Sequence, residues 1–270
     1  MLKMFFDGSW SSNSVTLACL AADDPVWIYF DQQWSKLLAD RGNPPYMHMK
    51  EAMPLVGPFE GWKPDARDFL IQGLIGLLME IGQHRRFHAF TCTIDLEAHA
   101  RWQVPKQLPP AARLCARLIF PRVVDWYSKF PDAILDTIEI FFDRNEMFIG
   151  HISEDWNSKR IRRQFPVWGL VRTVAPAEMA LTPGIQAADM MAWAGHRLAP
   201  KSVKSDGILI APKTYLFKNT DDRFSRIATD IFNGPAGWHV LLDEYILATR
   251  RFPEEGARKL LSPARKPLRV

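Results

Sequence analysis

The sequence predicts an α/β domain, a mixed β-sheet with helices packed on its faces, and three observations carry that prediction. Short apolar runs alternate along the chain with longer stretches of helical spacing, an order that suits neither an all-helical nor an all-β protein. Hydrophobic residues make up 47% of the chain and charged ones 24%, enough apolar material for a sizeable core. No internal repeat and no low-complexity tract interrupts the pattern.

Taken in order, Leu2 to Phe6 and Ser14 to Ala21 are expected to be two strands joined by a polar Ser/Asn turn, with Asp7 closing the first. Asp31 to Asp40 has helical spacing, with Trp34, Leu37 and Leu38 on one side, and ends at the break Gly42-Asn43-Pro44-Pro45. A long helix is predicted from Pro64 to Gln83, a strand from Phe87 to Leu96, and a second long helix from Pro109 to Phe130 that tolerates Pro121 with a kink. Ala133 to Phe142, rich in Ile and Phe, is the next strand, which puts Asp143 at a strand's carboxyl end. Leu170 to Ala175 is expected to be the last strand. Thr182-Pro183-Gly184 then opens a helix, with a capping threonine and proline in its first turn. Residues 1–200 hold this domain. Residues 201–270 read as a helical extension packed on it, with amphipathic segments near Asp221 to Phe232 and Trp238 to Thr249, and a basic tail.

Composition narrows the function. No apolar run is long enough to span a membrane, and Asp7 comes too early for a signal-peptide core, so a cytoplasmic location is expected. Cys19, Cys92 and Cys115 are odd in number, far apart and set in apolar runs, which predicts buried thiols rather than disulfides or a zinc ribbon. The formal charge of +4 permits a polyanionic partner. Basic residues gather at His84-Arg85-Arg86, in the tail from Arg258 to Arg269, and at Lys159-Arg160-Ile161-Arg162-Arg163. On a helix Lys159 and Arg163 would share a face, with Arg160 beside them, either as a phosphate-gripping ridge or as a plain solvated face.

No Gly-rich phosphate loop, Gly-x-Ser-x-Gly elbow or His-Glu-x-x-His helix is present. What stands out are acids in apolar settings: Asp7 after Met4-Phe5-Phe6, Asp143 after Ile140-Phe141-Phe142, and Asp189 between Ala188 and Met190. Singly, each has an ordinary role, as a turn starter, a loop cap or an arginine partner. Together they point to a buried carboxylate cluster. Such a cluster is tolerable only with a compensating cation, and its hard oxygen donors suit Mg2+ or Mn2+ better than zinc. Gln186, Asp189, Trp193 and His196 fall on one helical stripe, while Ala187, Met190, Met191 and Ala194 form the side expected to pack on the sheet. Asp95, ending its own strand, is a rival fourth carboxylate.

Phe5-Phe6-Asp7-Gly8-Ser9, His48-Met49-Lys50-Glu51, Phe142-Asp143 and Gly184-Ile185-Gln186-Ala187-Ala188-Asp189-Met190-Met191-Ala192 together resemble the domain-of-unknown-function 3800 family over roughly residues 2–198. The resemblance implies a ribonuclease-H-like fold and a metal-dependent phosphoryl-transfer site. Asp7, Asp143 and Asp189 would be the metal ligands, with Glu51 and Gln186 completing the catalytic set. His48 and Lys50 would touch the phosphate of a nucleic acid. One position departs from the family pattern: Gly8 stands where a glutamate is usual, so one carboxylate is lost. Three readings follow: a Mg2+- or Mn2+-dependent nuclease, a catalytically degenerate module that binds nucleic acid or protein, and an interaction protein whose ten tryptophans serve an interface.

Overall fold

The structure is a computed structural model and describes residues 1–106, 108–130, 137–144, 146, 148–159, 166–198, 223–233 and 237–242. Six strands form one mixed sheet: β1 (Leu2–Trp10), β2 (Ser14–Asp23), β3 (Phe87–Asp95), β4 (Ile138–Asp143), β5 (Val171–Ala177) and β6 (Gly237–Leu242), in the order β5-β4-β1-β2-β3-β6. β2 pairs antiparallel with both β1 and β3, while β1–β4, β4–β5 and β3–β6 are parallel. Five strands therefore run the same way, and their carboxyl ends share one edge of the sheet.

Side chains alternate across the pleat, so each strand feeds two cores. On one face Met4, Phe6, Leu17, Cys19, Cys92, Ile140 and Phe142 pack against α5 (Ala111–Tyr127). On the other, Phe5, Ala18, Leu20 and Ala89 pack against α1 (Asp24–Asp40), α3 (Pro64–Gly82), α7 (Pro183–Leu198) and α8 (Arg223–Asn233). Three shorter helices complete the order: α2 (Met49–Ala52), α4 (Leu96–Lys106) and α6 (Phe148–Asn157). Among the described residues no helix is long and apolar enough to cross a membrane. All three cysteines are free and buried, as expected.

Several expectations are corrected. β1 does not end at Asp7 but continues to Trp10, with Asp7 paired to Ala18 in mid-strand, because β2 is long enough to carry the ladder on. α1 begins at Asp24, not Asp31: Asp24 and Pro25 sit in its first turn, and Val26, Trp27 and Phe30 extend the buried stripe that ends in Trp34 and Leu38. Leu170 to Ala175 is not the last strand. Part of the segment from Trp238 lies in β6, which joins the sheet beside β3, so the region after residue 200 is not wholly helical. α4 and α6 were not expected. The parts of the predicted segments at 133–136 and 243–249, and the tail, lie outside the described residues.

Candidate carboxylate site

Four elements bring the acids together. Asp7 projects from the middle of β1, on the face covered by α7. Asp143 is the last residue of β4, the strand parallel to β1 on its other side. Asp189 comes down from α7, a helix buried nearly all round from Gly184 to Leu198. The helix lies close to the sheet because Gly184 has no side chain: a Cβ there would sit 2.5 Å from the Phe5 ring. Of the stripe Gln186, Asp189, Trp193 and His196, the first two are as buried as the side expected to pack on the sheet, while Trp193 and His196 are half-buried.

The fourth acid is Glu146, in the turn between β4 and α6. It is 4% exposed, and its Oε2 accepts the Gly8 N–H at 3.0 Å. Asp7, at 5% exposure, is held well above the usual carboxylate range, first by burial and then by the charges of Asp189, Glu146 and Asp143. Asp189 is also raised by burial, though less freely: His48 and the Met49 N–H, 2.6 Å from Oδ2, favour its charged form, as does a hydrogen bond with Asp7. Burial thus disfavours the charged form of both carboxylates, and the hydrogen bond between Asp7 and Asp189 offsets part of that cost for Asp189. Among the described residues no three His, Cys, Asp or Glu side chains are already set as metal ligands.

The remaining candidates are placed around this pair. His48 lies close enough to act on Asp189, its Nδ1 is 3.2 Å from Glu51 Oε2, and Glu51 also bonds Tyr46, so Glu51 stands behind His48 rather than among the aspartates. Gln186 clamps the scaffold: its Oε1 accepts from Trp34 Nε1 and from the Met47 N–H, both at 2.8 Å, and its Nε2 donates to the Met179 carbonyl. That clamp ties residues 47–49 to α7 and so delivers the Met49 N–H to Asp189. Asp95 accepts the Ala98 N–H at 2.8 Å as the cap of α4 and is not among the charges acting on Asp7 or Asp189. His196 Nδ1 lies 3.2 Å from Ser14 Oγ. Lys50 and Lys159 are exposed, while Arg160 and Arg163 lie outside the described residues. Sequence reasoning missed Glu146. The available signal was an acid three residues after a strand-ending aspartate, in a turn that otherwise looks solvated.

No family model, curated protein or solved structure matches the chain.

Proposed function

We propose that this protein is a divalent-metal-dependent nuclease whose site is the carboxyl cluster of Asp7, Asp143, Glu146 and Asp189. The observation that carries the reading is the convergence of four acids, three of them at least nine-tenths buried, at one end of the sheet. The donor set fits Mg2+ or Mn2+, since every side chain in it offers carboxylate oxygen. Bound there, such a cation supplies an activated water and neutralises charge on a phosphodiester. The chain's own groups do the rest. The Met49 and Gly8 amides fix Asp189 and Glu146, the Gln186 clamp holds the 47–49 segment, and His48, backed by Glu51, is placed to exchange a proton with the cluster. Both Asp7 and Asp189 would have to be charged to act as ligands, the form that burial disfavours without a cation.

The strand order supports a ribonuclease-H-like sheet: an antiparallel β1-β2-β3 meander, with β4 and β5 parallel on the far side of β1. On this reading the chain is a divergent relative of the domain-of-unknown-function 3800 family. Gly8 has lost a carboxylate, and Glu146, bonded to the Gly8 amide, supplies one beside it. Of the basic residues expected to touch nucleic acid, Lys50 and Lys159 are described and exposed, which leaves them available to a phosphate backbone. A second reading, a degenerate nucleic-acid- or protein-binding module, is favoured by Gly8 and by the direct Asp7–Asp189 hydrogen bond.

Titration calorimetry of Mg2+ and Mn2+ into the wild type and Asp189→Asn, with both proteins assayed on RNA and DNA, separates the two. Binding and cleavage by the wild type, both lost in the variant, are the expected result. Binding without cleavage selects the degenerate module, and no binding at all ends the metal reading.

A further inference from the structure

Strand β6 and helix α8 occupy the β3 edge of the sheet, far along the chain from the strand they cover. Ile227, Ala228 and Ile231 of α8 enter the core on one face, and Val240 and Leu242 of β6 enter the core on the other. Between these apolar anchors lies a polar fault. His239 is 7% exposed and Thr91, its register partner on β3, is 1% exposed; His239 Nδ1 and Thr91 Oγ1 have no hydrogen-bond partner among the described residues. The imidazole lies against Phe232 of α8 with ring centroids 4.0 Å apart and the planes tilted by 34°, while Gly195 of α7 leaves room over Thr91, where a Cβ would meet its methyl group at 2.9 Å.

We propose that β6 and α8 form an acid-released latch on the sheet, docked while the buried His239 ring is neutral and freed when that ring takes a proton.

Among the described residues, no group around the ring stabilises the extra proton. From β3, His88 is the titratable neighbour; it sits on the opposite face against Trp126, and a proton on either ring disfavours one on the other. From α8, Arg226 and Asp230 are exposed, and Arg223 is engaged with Asp65 and Asp68. From α7, His196 is bonded to Ser14, and Asp189 belongs to the carboxylate site. Among the described residues no carboxylate acts on His239, and burial pushes its titration down from 6.5 to about 3. His88 is likewise lowered to about 4. A neutral imidazole with one idle nitrogen costs little more than a lost hydrogen bond, whereas a buried imidazolium without an acceptor costs far more.

Opening moves the ring to water, where it titrates normally. A folded-state value below the unfolded one means that docking is unaffected above about pH 6.5 and weakens as pH falls, by roughly tenfold in the opening equilibrium for each unit. The loss is confined to the β3–β6 pairing, because β1 to β5 pair without β6. That is the pattern of sub-global opening rather than unfolding. Release bares the β3 edge and the Gly195 flank of α7, the helix that carries Asp189. The latch does not depend on the nuclease reading.

Hydrogen exchange of the full chain between pH 7.5 and 5, corrected for intrinsic rates, tests it. Peptides from α8 and β6 should lose protection about tenfold per pH unit below roughly 6.5 relative to peptides from α5, and His239→Leu should abolish that slope. The proposal is overturned if wild type and His239→Leu share one pH dependence, or if the two regions of the wild type lose protection in parallel. Whatever the stability of the variant, the His239 Cε1–H resonance of the wild type gives an independent reading: titration below pH 5 supports the latch, and titration near 6.5 overturns it.

Discussion

Asp7 is a strand-interior acid that the fold holds at a cost. Its partner across β2 is Ala18, its cover is α7, and its charged neighbours are acids. Burial and those neighbours raise its titration above the unfolded value, so the native state binds more protons than the unfolded chain as pH rises through the range between the two values. Stability therefore falls through that window, and the cost is fully present above the folded value. Asp7→Asn keeps the shape and removes the charge. In EDTA, urea denaturation should show the variant more stable than the wild type, with a margin that grows from pH 4 toward pH 8. A variant that is less stable throughout would mean that the Asp7 carboxylate makes net favourable bonds. Asp7, Asp143 and Asp189 were legible in the sequence because each interrupts an apolar run. Glu146 was not, since the polar turn of Arg144, Asn145 and Glu146 looks like solvated loop, and only the fold turns the Glu146 carboxylate back onto the Gly8 amide. Gln186 was legible as a residue of interest, but its three bonds tie it to Trp34, Met47 and Met179 and leave it as a clamp.

At the level of elements, α7 sets the site because it can come close to β1. Gly184→Ala tests that approach. Alanine favours helix by up to about 1 kcal/mol over glycine, yet the new Cβ would lie 2.5 Å from Phe5, whose ring is wedged between Trp27 and Phe141. Overpacking of this kind costs about 1–3 kcal/mol, so the variant should show a lowered midpoint of thermal unfolding despite its better helix former. An unchanged or raised midpoint would mean that the helix can ride outward without loss. The elements read correctly from sequence were those with long unbroken patterns, such as α3, α5 and the β1–β2 hairpin. α6 is not legible in the sequence although Ile149, Ile152 and Trp156 are spaced for a helix, because those three apolar positions, with Glu154 and Asp155 between the last two, also fit the polar flank of the basic run that follows. In the structure Asp155, 2% exposed, is gripped by Arg113 and Arg117 of α5, which anchors α6 just after the turn that carries Glu146. β6 was read as part of a helix because a short apolar run has no period of its own; its pairing with β3 decides its form.

For the molecule as a whole, the alternation of strand and helix signals was enough for the α/β class, but not for the strand order. Periodicity says which residues share a face and nothing about which strand lies beside which. That order is what places acids from β1, β4 and α7, remote in sequence, at one end of the sheet. A cation held there would tie those elements together in the folded state and have no equivalent site in the unfolded chain. Binding of that kind stabilises by RT ln(1 + [L]/Kd), about 2.7 kcal/mol at a hundredfold excess over Kd, which for a chain of this size is a rise of roughly 5–10 °C in unfolding midpoint. Mn2+ and Mg2+ should therefore raise the wild-type midpoint and saturate, while NaCl at matched ionic strength should not, and Asp143→Asn should blunt the response. An equal rise in the wild type and in Asp143→Asn would place the cation elsewhere. No rise in the wild type would leave the hydrogen bond between Asp7 and Asp189 as the cluster's own compensation, and would make the acids part of the architecture rather than of a reaction.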